Sequence, residues 1–513
     1  NAPASISVIS KAELEKKPYM TLLDAVRELE GVDIGETNDK TGQGSISMRG
    51  MGGDYTLILI DGKRQNNHGD IYPNSFGGNQ FNHIPPLDSI QRIEVIRGPA
   101  STLYGADAMG GVINIITKKV TDTWTGSVTH SRTFEENDDF GEDSTIDFNV
   151  MGPLIKDKLG LTVRGSLYER DESNPTYAPA TDPSGVVHDR TLGFGGGGRT
   201  VNNENISLGA RLSWNLSDNQ TLWADIDTSR QEYDNSEGQL GTVDSIDSIW
   251  RQNCSINKPC TRADPRAGYD KEQKFTRDTW SLTHEGEWNF GKSFVSLAHI
   301  ETNNKGRTLP FTVSERKQLL EMLNSTGNYV GLSEAERKKI AEETFLPRPS
   351  RTLESAQYTL DANLAMPFEL AGEHDVIVGT QIIRGELTDG VFGMESGTPA
   401  QVQDHNMWSL FAEDTWQITQ PFALTTGLRY DNHEVFGDQL SPRLYGVYNF
   451  SDAFTVKGGV STGYKTPKTT QLYDGIVGFG GQGTSPQFGN PDLVPETSIS
   501  SELAAYWQHP AIR

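Results

Sequence analysis

The second part of the sequence is dominated by segments in which apolar and polar residues alternate. After residue 120 we count about fourteen such segments of roughly ten residues, the length that a tilted strand needs to cross a bilayer. Short polar connections such as NLSDNQ and NFGKS alternate with long ones at 170–203, 232–275, 305–352 and 465–496. The pattern predicts an antiparallel sheet with tight turns at one end and long loops at the other.

Aromatic residues flank the short connections, as expected for a girdle at a membrane interface. They are Trp214, Trp223, Trp288, Phe290, Phe368, Trp416, Tyr448 and Phe450. A soluble sandwich could scatter its aromatic residues in this way by chance, but the strand length and loop alternation favour an outer-membrane barrel. No run of 18 apolar residues occurs, so no transmembrane helix is predicted. Backbone groups in lipid must all be paired, which requires such a sheet to close.

Charge and motifs exclude several classes of function. The net charge of −24, from 45 basic and 69 acidic residues, argues against a nucleic acid partner, and solubility is the simpler explanation of the acidity. The stretch GFGGGG at 193–198 matches a dinucleotide motif by letter, but it precedes no helix. No Ser-His-Asp set or carboxylate pair stands out, and we predict that the protein is not an enzyme.

The first 119 residues have a different, mixed character. Residues 4–10, 45–50 and 55–64 read as strands, and another strand ends at Arg97. Residues 21–34 place Leu22, Leu23, Val26 and Leu29 on one helical face, and this predicted helix ends at Gly31. We expect a small α+β domain here.

Several motifs resemble one family. PASISVIS, LLDAVRELEGVDI, ISMRG, LILIDGKR and IQRIEVIRGPASTLYGADAMGGVINIITKK together resemble the plug domain of TonB-dependent outer-membrane receptors. The likeness is greatest to the ferric-catecholate siderophore receptors, the enterobactin and colicin-I receptor type. FAEDTW, SPRLYGVYNF, GVSTGYKTPKTTQLYDG and NPDLVPETSISSEL resemble segments of that family's barrel. The resemblance implies a mainly β fold, with a plug at 1–119 in the lumen of a transmembrane antiparallel β-barrel at 120–513.

The same resemblance implies a function and partners. The family has 22 strands in its barrel, so we expect this chain to be truncated at its C-terminus. The implied activity is active transport of a ferric siderophore across the outer membrane of a Gram-negative bacterium, with the siderophore as cargo, no permanently bound cofactor and no metal ligand from the protein. TonB, powered by ExbB and ExbD, would act through an N-terminal segment that this sequence lacks. Outer-membrane lipid is a further partner, and colicins or phages are candidates that the sequence does not identify. Haem or cobalamin as cargo, or a secreted β-rich adhesin, are the alternatives.

Paired charges are expected to attach the plug to the barrel. Arg49 and Arg97 match the plug arginines of the family, and Glu496 and Glu502 match its barrel glutamates, with Glu94 nearby. Guanidinium–carboxylate pairing is directional and strong, and in a wet lumen such pairs can be re-solvated. We therefore predict a lock formed by these residues. The alternative is ordinary surface ion pairing, which contributes little.

Two loops are candidates for binding cargo. A ferric tris-catecholate is anionic and aromatic, so arginine charge and aromatic faces would hold it. The candidates are Arg64, His68, Tyr72, Phe76 and Phe81 in the long plug loop at 63–86, and Arg251, Lys258 and Arg262 in the barrel loop at 249–267. For any one of these residues, a solvated loop is an equally good explanation.

The two cysteines and one long loop give further expectations. Cys254 and Cys260 form either a small disulfide or half of a metal site, and the disulfide is favoured because a zinc site needs four ligands. The long loop stretch at 312–345 has helical spacing and a capping box at Ser333 and Glu336. It predicts two short helices on an extracellular loop, for which a solvated surface without a ligand role is the simpler interpretation.

Overall fold

The protein is mainly β, with a small mixed domain, the plug, packed against a 14-stranded antiparallel sheet, the wall. The computed structural model describes residues 5–34, 45–65, 71, 84–190, 200–236, 244–251, 254–265, 268–480 and 485–508. No helix among these residues is both long and apolar enough to cross a bilayer. The fold class therefore agrees with the sequence-based prediction.

The plug is built on a five-stranded sheet in the order β1-β6-β7-β4-β5, with β4 and β7 parallel. Its strands are β1 Ser5–Ser10, β2 Val32–Asp33, β3 Ser47–Met48, β4 Thr56–Ile60, β5 Lys63–Arg64, β6 Ile90–Arg97 and β7 Gly111–Thr117. Its helices are α1 Lys11–Lys16, α2 Leu22–Val26 and α3 Ser101–Tyr104, with 3₁₀ turns at Gly53–Tyr55 and Leu87–Ser89. The apolar faces of α2, β4, β6 and β7 form one buried core.

The helix α2 is shorter than the sequence predicts. It starts at a capping box between Thr21 and Asp24, but it ends at Val26 rather than near Gly31. The amide of Leu29 donates to the carbonyl of Val26 at 3.1 Å, and the amide of Val32 donates to that of Leu29 at 3.2 Å. These three-residue steps tighten the chain into turns, which still direct Leu29 toward the core.

The wall contains fourteen strands, the number that alternation predicts. They are β8 Thr125–Thr133, β9 Asp143–Ile155, β10 Leu159–Arg170, β13 Asn203–Ser217, β14 Gln220–Asp234, β15 Tyr269–Trp288, β16 Gly291–Arg307, β17 Leu353–Glu369, β18 Glu373–Asp389, β19 Gln401–Thr419, β20 Phe422–His433, β21 Gly437–Ser451, β22 Phe454–Lys465 and β25 Glu496–Trp507. Each strand pairs with its neighbour along this order, from β8 at one end to β25 at the other. Two small hairpins lie in the long loops: β11 Ala180–Thr181 with β12 Val187–His188, and β23 Ile476–Gly480 with β24 Ser485–Phe488.

The two faces of the wall differ in polarity. On β14, Asp225 is buried while its neighbour Ile226 is 67% exposed, and on β20 Arg429 is buried while Leu428 is 51% exposed. Since side chains of successive residues point to opposite faces of a strand, one face is polar and covered by the plug, and the other is apolar. Trp214, Phe290 and Phe450 are exposed near the short turns, as predicted for a girdle. Trp223 does not belong to it, because its ring lies on the plug side of the wall, with the ring centroid 5.4 Å from Lys63 Nζ.

Long loops at the opposite end carry the remaining helices. The helices α4 Val313–Asn324 and α5 Glu334–Phe345 occupy the connection from β16 to β17. The remaining 3₁₀ turns are Ile246–Ser248, Gly327–Tyr329, Met394–Ser396 and Thr469–Leu472. The predicted capping box is present, because the amide of Glu336 donates to Ser333 Oγ at 3.3 Å and that of Ser333 to Glu336 Oε2 at 2.8 Å. Both short helices are therefore confirmed.

Candidate functional site

One predicted pair of charges joins the plug to the wall. Arg49 Nη2 lies 3.5 Å from Glu502 Oε2 on β25, and both side chains are partly exposed. Glu502 also accepts a hydrogen bond from the Tyr445 hydroxyl at 2.7 Å. The backbone at Gly98 has a φ of +86°, and a Cβ there would lie 2.9 Å from Arg49 Nη1. A glycine at this position thus gives the Arg49 guanidinium room to reach the wall.

Arg97 is directed elsewhere, in contrast to the prediction that it faces barrel carboxylates. Its Nη2 donates to Ser7 Oγ at 2.8 Å, and its Nε donates to the carbonyl of Glu30. Arg97 is the last residue of β6 and pairs with Ser5 on β1, so its side chain bridges two parts of the plug. Burial lowers the pKa of the guanidinium, and the positive charge of Arg49 adds to this effect.

The predicted carboxylates Glu94 and Glu496 also have partners other than the arginines expected. Glu94 Oε1 accepts from Arg92 Nε at 2.8 Å, within the plug. Glu496 Oε2 on β25 accepts from the hydroxyl of Tyr55, a plug residue, at 2.8 Å. This hydrogen bond, with a smaller contribution from burial, raises the pKa of Tyr55. Glu496 therefore contacts the plug through a tyrosine rather than through an arginine.

A cavity of about 310 Å³ lies beside these groups. Arg49, Arg97, Glu502, Glu413 and Arg443 all contribute to its lining. We call the Arg49–Glu502 pair the lock, since of the predicted residues it alone forms a plug-to-wall ion pair among those the structure describes.

Arg64 requires a correction, because it does not lie on an exposed loop. Its side chain is buried and donates from Nη2 to the carbonyls of Tyr104 at 3.0 Å and Ala106 at 2.7 Å. Its Nη1 lies 3.4 Å from Asp107 Oδ2. As the second residue of the short strand β5, Arg64 points into the plug and supports the turn between α3 and β7. His68, Tyr72, Phe76 and Phe81 lie outside the described residues.

Two of the three predicted basic residues of the second loop have local ion-pair partners. Arg251 Nε lies 3.1 Å from Glu334 Oε1 at the start of α5, and Arg262 Nε lies 2.6 Å from Asp264 Oδ2. Lys258 is exposed. Arg251 thus connects its loop to the helical pair, whereas Lys258 and much of the Arg262 side chain face solvent.

The long loops form a connected cap. Cys254 and Cys260 are joined in a disulfide, and both pack in an apolar cluster with α4 and α5. Arg316 on α4 lies over the ring of Phe479 in β23 at 3.9 Å, and burial lowers its pKa to about 10. The amide of Val313 donates to the carboxylate of Glu395 at 3.1 Å. The β16–β17 connection therefore contacts three others, β14–β15, β18–β19 and β22–β25.

Comparison with known proteins identifies the family. The model of the TonB-dependent receptor plug domain matches residues 1–112. The model of the TonB dependent receptor-like β-barrel matches residues 250–513, which is more than half of the chain. The chain belongs to the TonB-dependent receptor family. This receptor is accordingly an outer-membrane protein of Gram-negative type, in a family of receptors and transporters.

Individual relatives support this membership. The receptor is 34% identical over 508 residues to the iron-regulated outer membrane virulence protein of Vibrio cholerae serotype O1, covering 98% of this chain and 63% of the relative. It is 32% identical to a probable TonB-dependent siderophore receptor of Acinetobacter baumannii, covering 98% and 64%. A structure of a ferric enterobactin receptor mutant from Pseudomonas aeruginosa in complex with enterobactin matches with a TM-score of 0.72 at 26% identity, covering 99% and 70%. The chain thus spans less than two thirds of the length of the first two relatives.

The receptor has a second set of plug-to-wall charges that the sequence reasoning missed. Asp61 and Lys63 in the plug contact Arg211 on β13 and Asp225 on β14, and we call these four residues the latch. The two wall residues of the latch, Arg211 and Asp225, can be paired from the sequence alone. Arg211 and Asp225 stand almost equally far from the short turn at 218–219, so a hairpin places them opposite each other, as the register shows.

Proposed function

We propose that the receptor takes up ferric siderophores of the catecholate class from outside the cell by TonB-dependent active transport. The observation that carries this proposal is a folded plug attached by polar contacts to the covered, polar face of a membrane wall. An ion pair with solvent access, such as Arg49–Glu502, can be exchanged for water at small cost. Such attachment suits a plug that must close the lumen and yet move.

The cargo class is supported by the relatives and by the chemistry of the cap. Relatives include ferric enterobactin receptors of Pseudomonas aeruginosa and Escherichia coli. An arginine–aromatic pair with partial exposure occurs at the long-loop end, where Arg316 lies over the ring of Phe479 at 3.9 Å. Arginine charge and aromatic faces are the groups that favour an anionic, aromatic complex. The iron arrives already coordinated, so no protein ligand to the metal is needed.

Energy for transport would come from TonB with ExbB and ExbD. Cargo would bind among the long loops, and a pull by TonB on the N-terminal side of the plug would loosen its contacts with the wall. Cobalamin is the second candidate cargo, because a vitamin B12 transporter of Vibrio vulnificus is 30% identical over 47% of this chain.

Direct titration tests the cargo class. The full-length receptor in detergent is titrated with ferric enterobactin, a ferric hydroxamate, haem and cobalamin, and binding is followed by tryptophan fluorescence. We expect saturable, tight binding of ferric enterobactin only. Binding of any of the other three without the catecholate would overturn the proposal.

Uptake in cells tests the transport step. Cells that depend on this receptor should accumulate radioactive iron from ferric enterobactin, and the same cells without TonB should bind the complex but not accumulate the iron. Equal accumulation with and without TonB contradicts energy-dependent transport. Iron-free enterobactin serves as the competitor that distinguishes specific uptake from adsorption.

A further inference from the structure

The latch connects the turn between β4 and β5 to three wall strands. Lys63 Nζ lies 3.4 Å from Asp225 Oδ2 and donates to Ser281 Oγ on β15 at 3.1 Å. Arg211 Nη2 lies 2.7 Å from Asp61 Oδ2, and its Nε lies 2.7 Å from Asp225 Oδ1. Two positive and two negative charges alternate in this chain of contacts, and Arg164 on β10 adds a third cation, with its Nη2 3.6 Å from Asp225 Oδ1.

The latch is more deeply buried than the lock. The exposed fractions of the side chains are 12% for Asp61, 7% for Lys63, 10% for Arg211 and 8% for Asp225. In the lock they are 39% for Arg49 and 29% for Glu502. Buried ion pairs keep their strength in salt better than exposed ones, and removal of one partner leaves an uncompensated charge. Removal of one latch residue should therefore weaken the contact between plug and wall more than removal of one lock residue.

Two cavities meet at the latch. A small cavity of about 60 Å³ is lined on the long-loop side by Ser207, Asp227 and Thr279. A larger one of about 370 Å³ is lined toward the short turns by Asn215, Thr221 and Glu285, among others. Asp61 and Arg211 line both cavities. We call these the outer and the inner cavity, and their shared Asp61–Arg211 pair separates them.

The opposite seam is closed by hydrogen bonds to backbone carbonyls instead. The amide of Asp107 donates to the carbonyl of Tyr464 at 2.8 Å, and the hydroxyl of Thr102 donates to the carbonyl of Ser441 at 3.0 Å. At Gly105 a Cβ would lie 2.8 Å from Arg429 Nη2, which shows how closely plug and wall approach there. Side-chain ion pairs can open by rotamer changes, whereas the Asp107–Tyr464 bond joins two backbones and requires the plug backbone to move.

We propose that the latch is the gate of the transport route, so that cargo passes between the β4–β5 turn and strands β10, β13, β14 and β15. This inference rests on the proposed transport function and specifies its path. Opening requires Asp61 to leave Arg211, which joins the outer and inner cavities into one polar passage. The pair of Arg211 with Asp225 stays on the wall when the plug moves.

Conductance with thiol block tests the route without siderophore or TonB. The full-length receptor, with any cysteine other than Cys254 and Cys260 replaced by serine, is placed in a planar bilayer. Asp61→Asn removes one charge of the latch, and Asp88→Asn is the matched control, because Asp88 is a plug aspartate bonded only to Ser127 and Thr129 in the contacts the structure describes. Each is combined with Ser213→Cys in the inner cavity or with Ser461→Cys in the cavity of about 310 Å³ beside the lock.

The gate predicts a specific pattern of block. Asp61→Asn should increase open-channel events by about tenfold or more, since a charge-assisted hydrogen bond is lost, and Asp88→Asn should not. A charged methanethiosulfonate reagent should block the current through Ser213→Cys and leave Ser461→Cys unaffected. Block only at Ser461→Cys, or no conductance in Asp61→Asn, overturns the route.

A second measurement covers the case in which Asp61→Asn does not fold. In the otherwise unmodified receptor, increasing urea should expose Ser213→Cys to the reagent at lower concentration than Ser461→Cys, and the reverse order contradicts the gate. Ferric enterobactin binding, measured separately on the same proteins, reports on the cargo class alone. Loss of binding with the predicted block pattern would reject the proposed cargo and leave the gate standing.

Discussion

At the scale of single residues, two arginines of similar sequence context have different partners. Arg49 lies 3.5 Å from a wall carboxylate, whereas Arg97 donates to Ser7 and to the carbonyl of Glu30, both in the plug. The first contact joins the plug to the wall, and the second lies within the plug. Substitutions at the two positions should therefore have separable effects.

We expect Arg49→Ala to impair uptake and Arg97→Ala to impair folding of the plug. The Arg49–Glu502 pair is partly exposed, so its loss should change stability by only about 0–1 kcal/mol while reducing iron uptake. Arg97→Ala removes two hydrogen bonds within the plug and should increase its sensitivity to protease. Arg92→Ala, which affects a pair within the plug to Glu94, is the control. Normal uptake in Arg49→Ala would refute the lock.

Acid should loosen the cap through Glu315. Burial alone would raise the pKa of this carboxyl, but Arg348 Nη1 at 2.6 Å and the amide of Thr312 at 3.0 Å hold it below its ordinary value. A carboxyl whose pKa is lower in the folded state stabilises that state above its unfolded pKa, and the contribution is lost as pH falls through the folded pKa. The protection factors of the α4 amides, which are exchange rates corrected for the intrinsic rate at each pH, should therefore fall below about pH 4.

Glu315→Gln provides the test of that assignment. The variant has no titrating carboxyl, so its α4 amides should exchange faster at neutral pH and show a smaller change on acidification. If the variant retains the pH response of the original receptor, another group is responsible.

At the scale of secondary structure, alternation and capping were sufficient to predict most elements. Fourteen wall strands and both helices of the β16–β17 loop follow from local patterns, because period-two alternation and the Ser333–Glu336 box act over a few residues. The sequence does not predict that α2 ends at Val26. Hydrogen bonds between residues i and i+3 follow it, and over one turn they leave the apolar residues at the same spacing as an α-helix.

The candidate site could be predicted only in part, for a geometric reason. The pattern fixes which face of a strand a residue occupies, but it does not fix which plug group lies opposite. Arg97 is the last residue of its strand, so alternation does not fix whether its side chain points toward the wall or back into the plug. Arg64 lies in a strand of two residues, which is too short for alternation to be read. Asp61 looked like an ordinary turn residue because its partner Arg211 is 150 positions away.

Removal of the disulfide should weaken the cap without affecting the wall. Replacement of both Cys254 and Cys260 by serine opens a short loop, which in the chain-entropy model costs about 2 kcal/mol. Limited proteolysis should then cut between β14 and β15 faster, whereas the loop that contains β11 and β12 should be cut as before. An unchanged cutting rate at the first loop would mean that packing against α4 and α5 alone maintains it.

At the scale of the whole molecule, the plug is attached along two seams of different chemistry. Side-chain charges and cavities characterise the seam at β10 and β13–β15, and hydrogen bonds to backbone carbonyls with close packing characterise the seam at β19–β22. The lock pair lies at β25, and it shares no residue with the latch. The two attachments should therefore behave as independent contributions to plug retention.

A double-mutant cycle measures this independence. The free-energy changes for plug release in urea should add to within about 0.5 kcal/mol for Asp61→Asn combined with Arg49→Ala, since the sites share no partner. Asp61→Asn combined with Lys63→Met is the matched control within the latch, and these changes should couple by more than about 0.5 kcal/mol because both act on the Arg211–Asp225 pair. Release is read from the rate of thiol modification at Ser213→Cys. Strong coupling between the lock and the latch would instead show that the plug leaves the wall as one rigid unit, with no seam opening before the other.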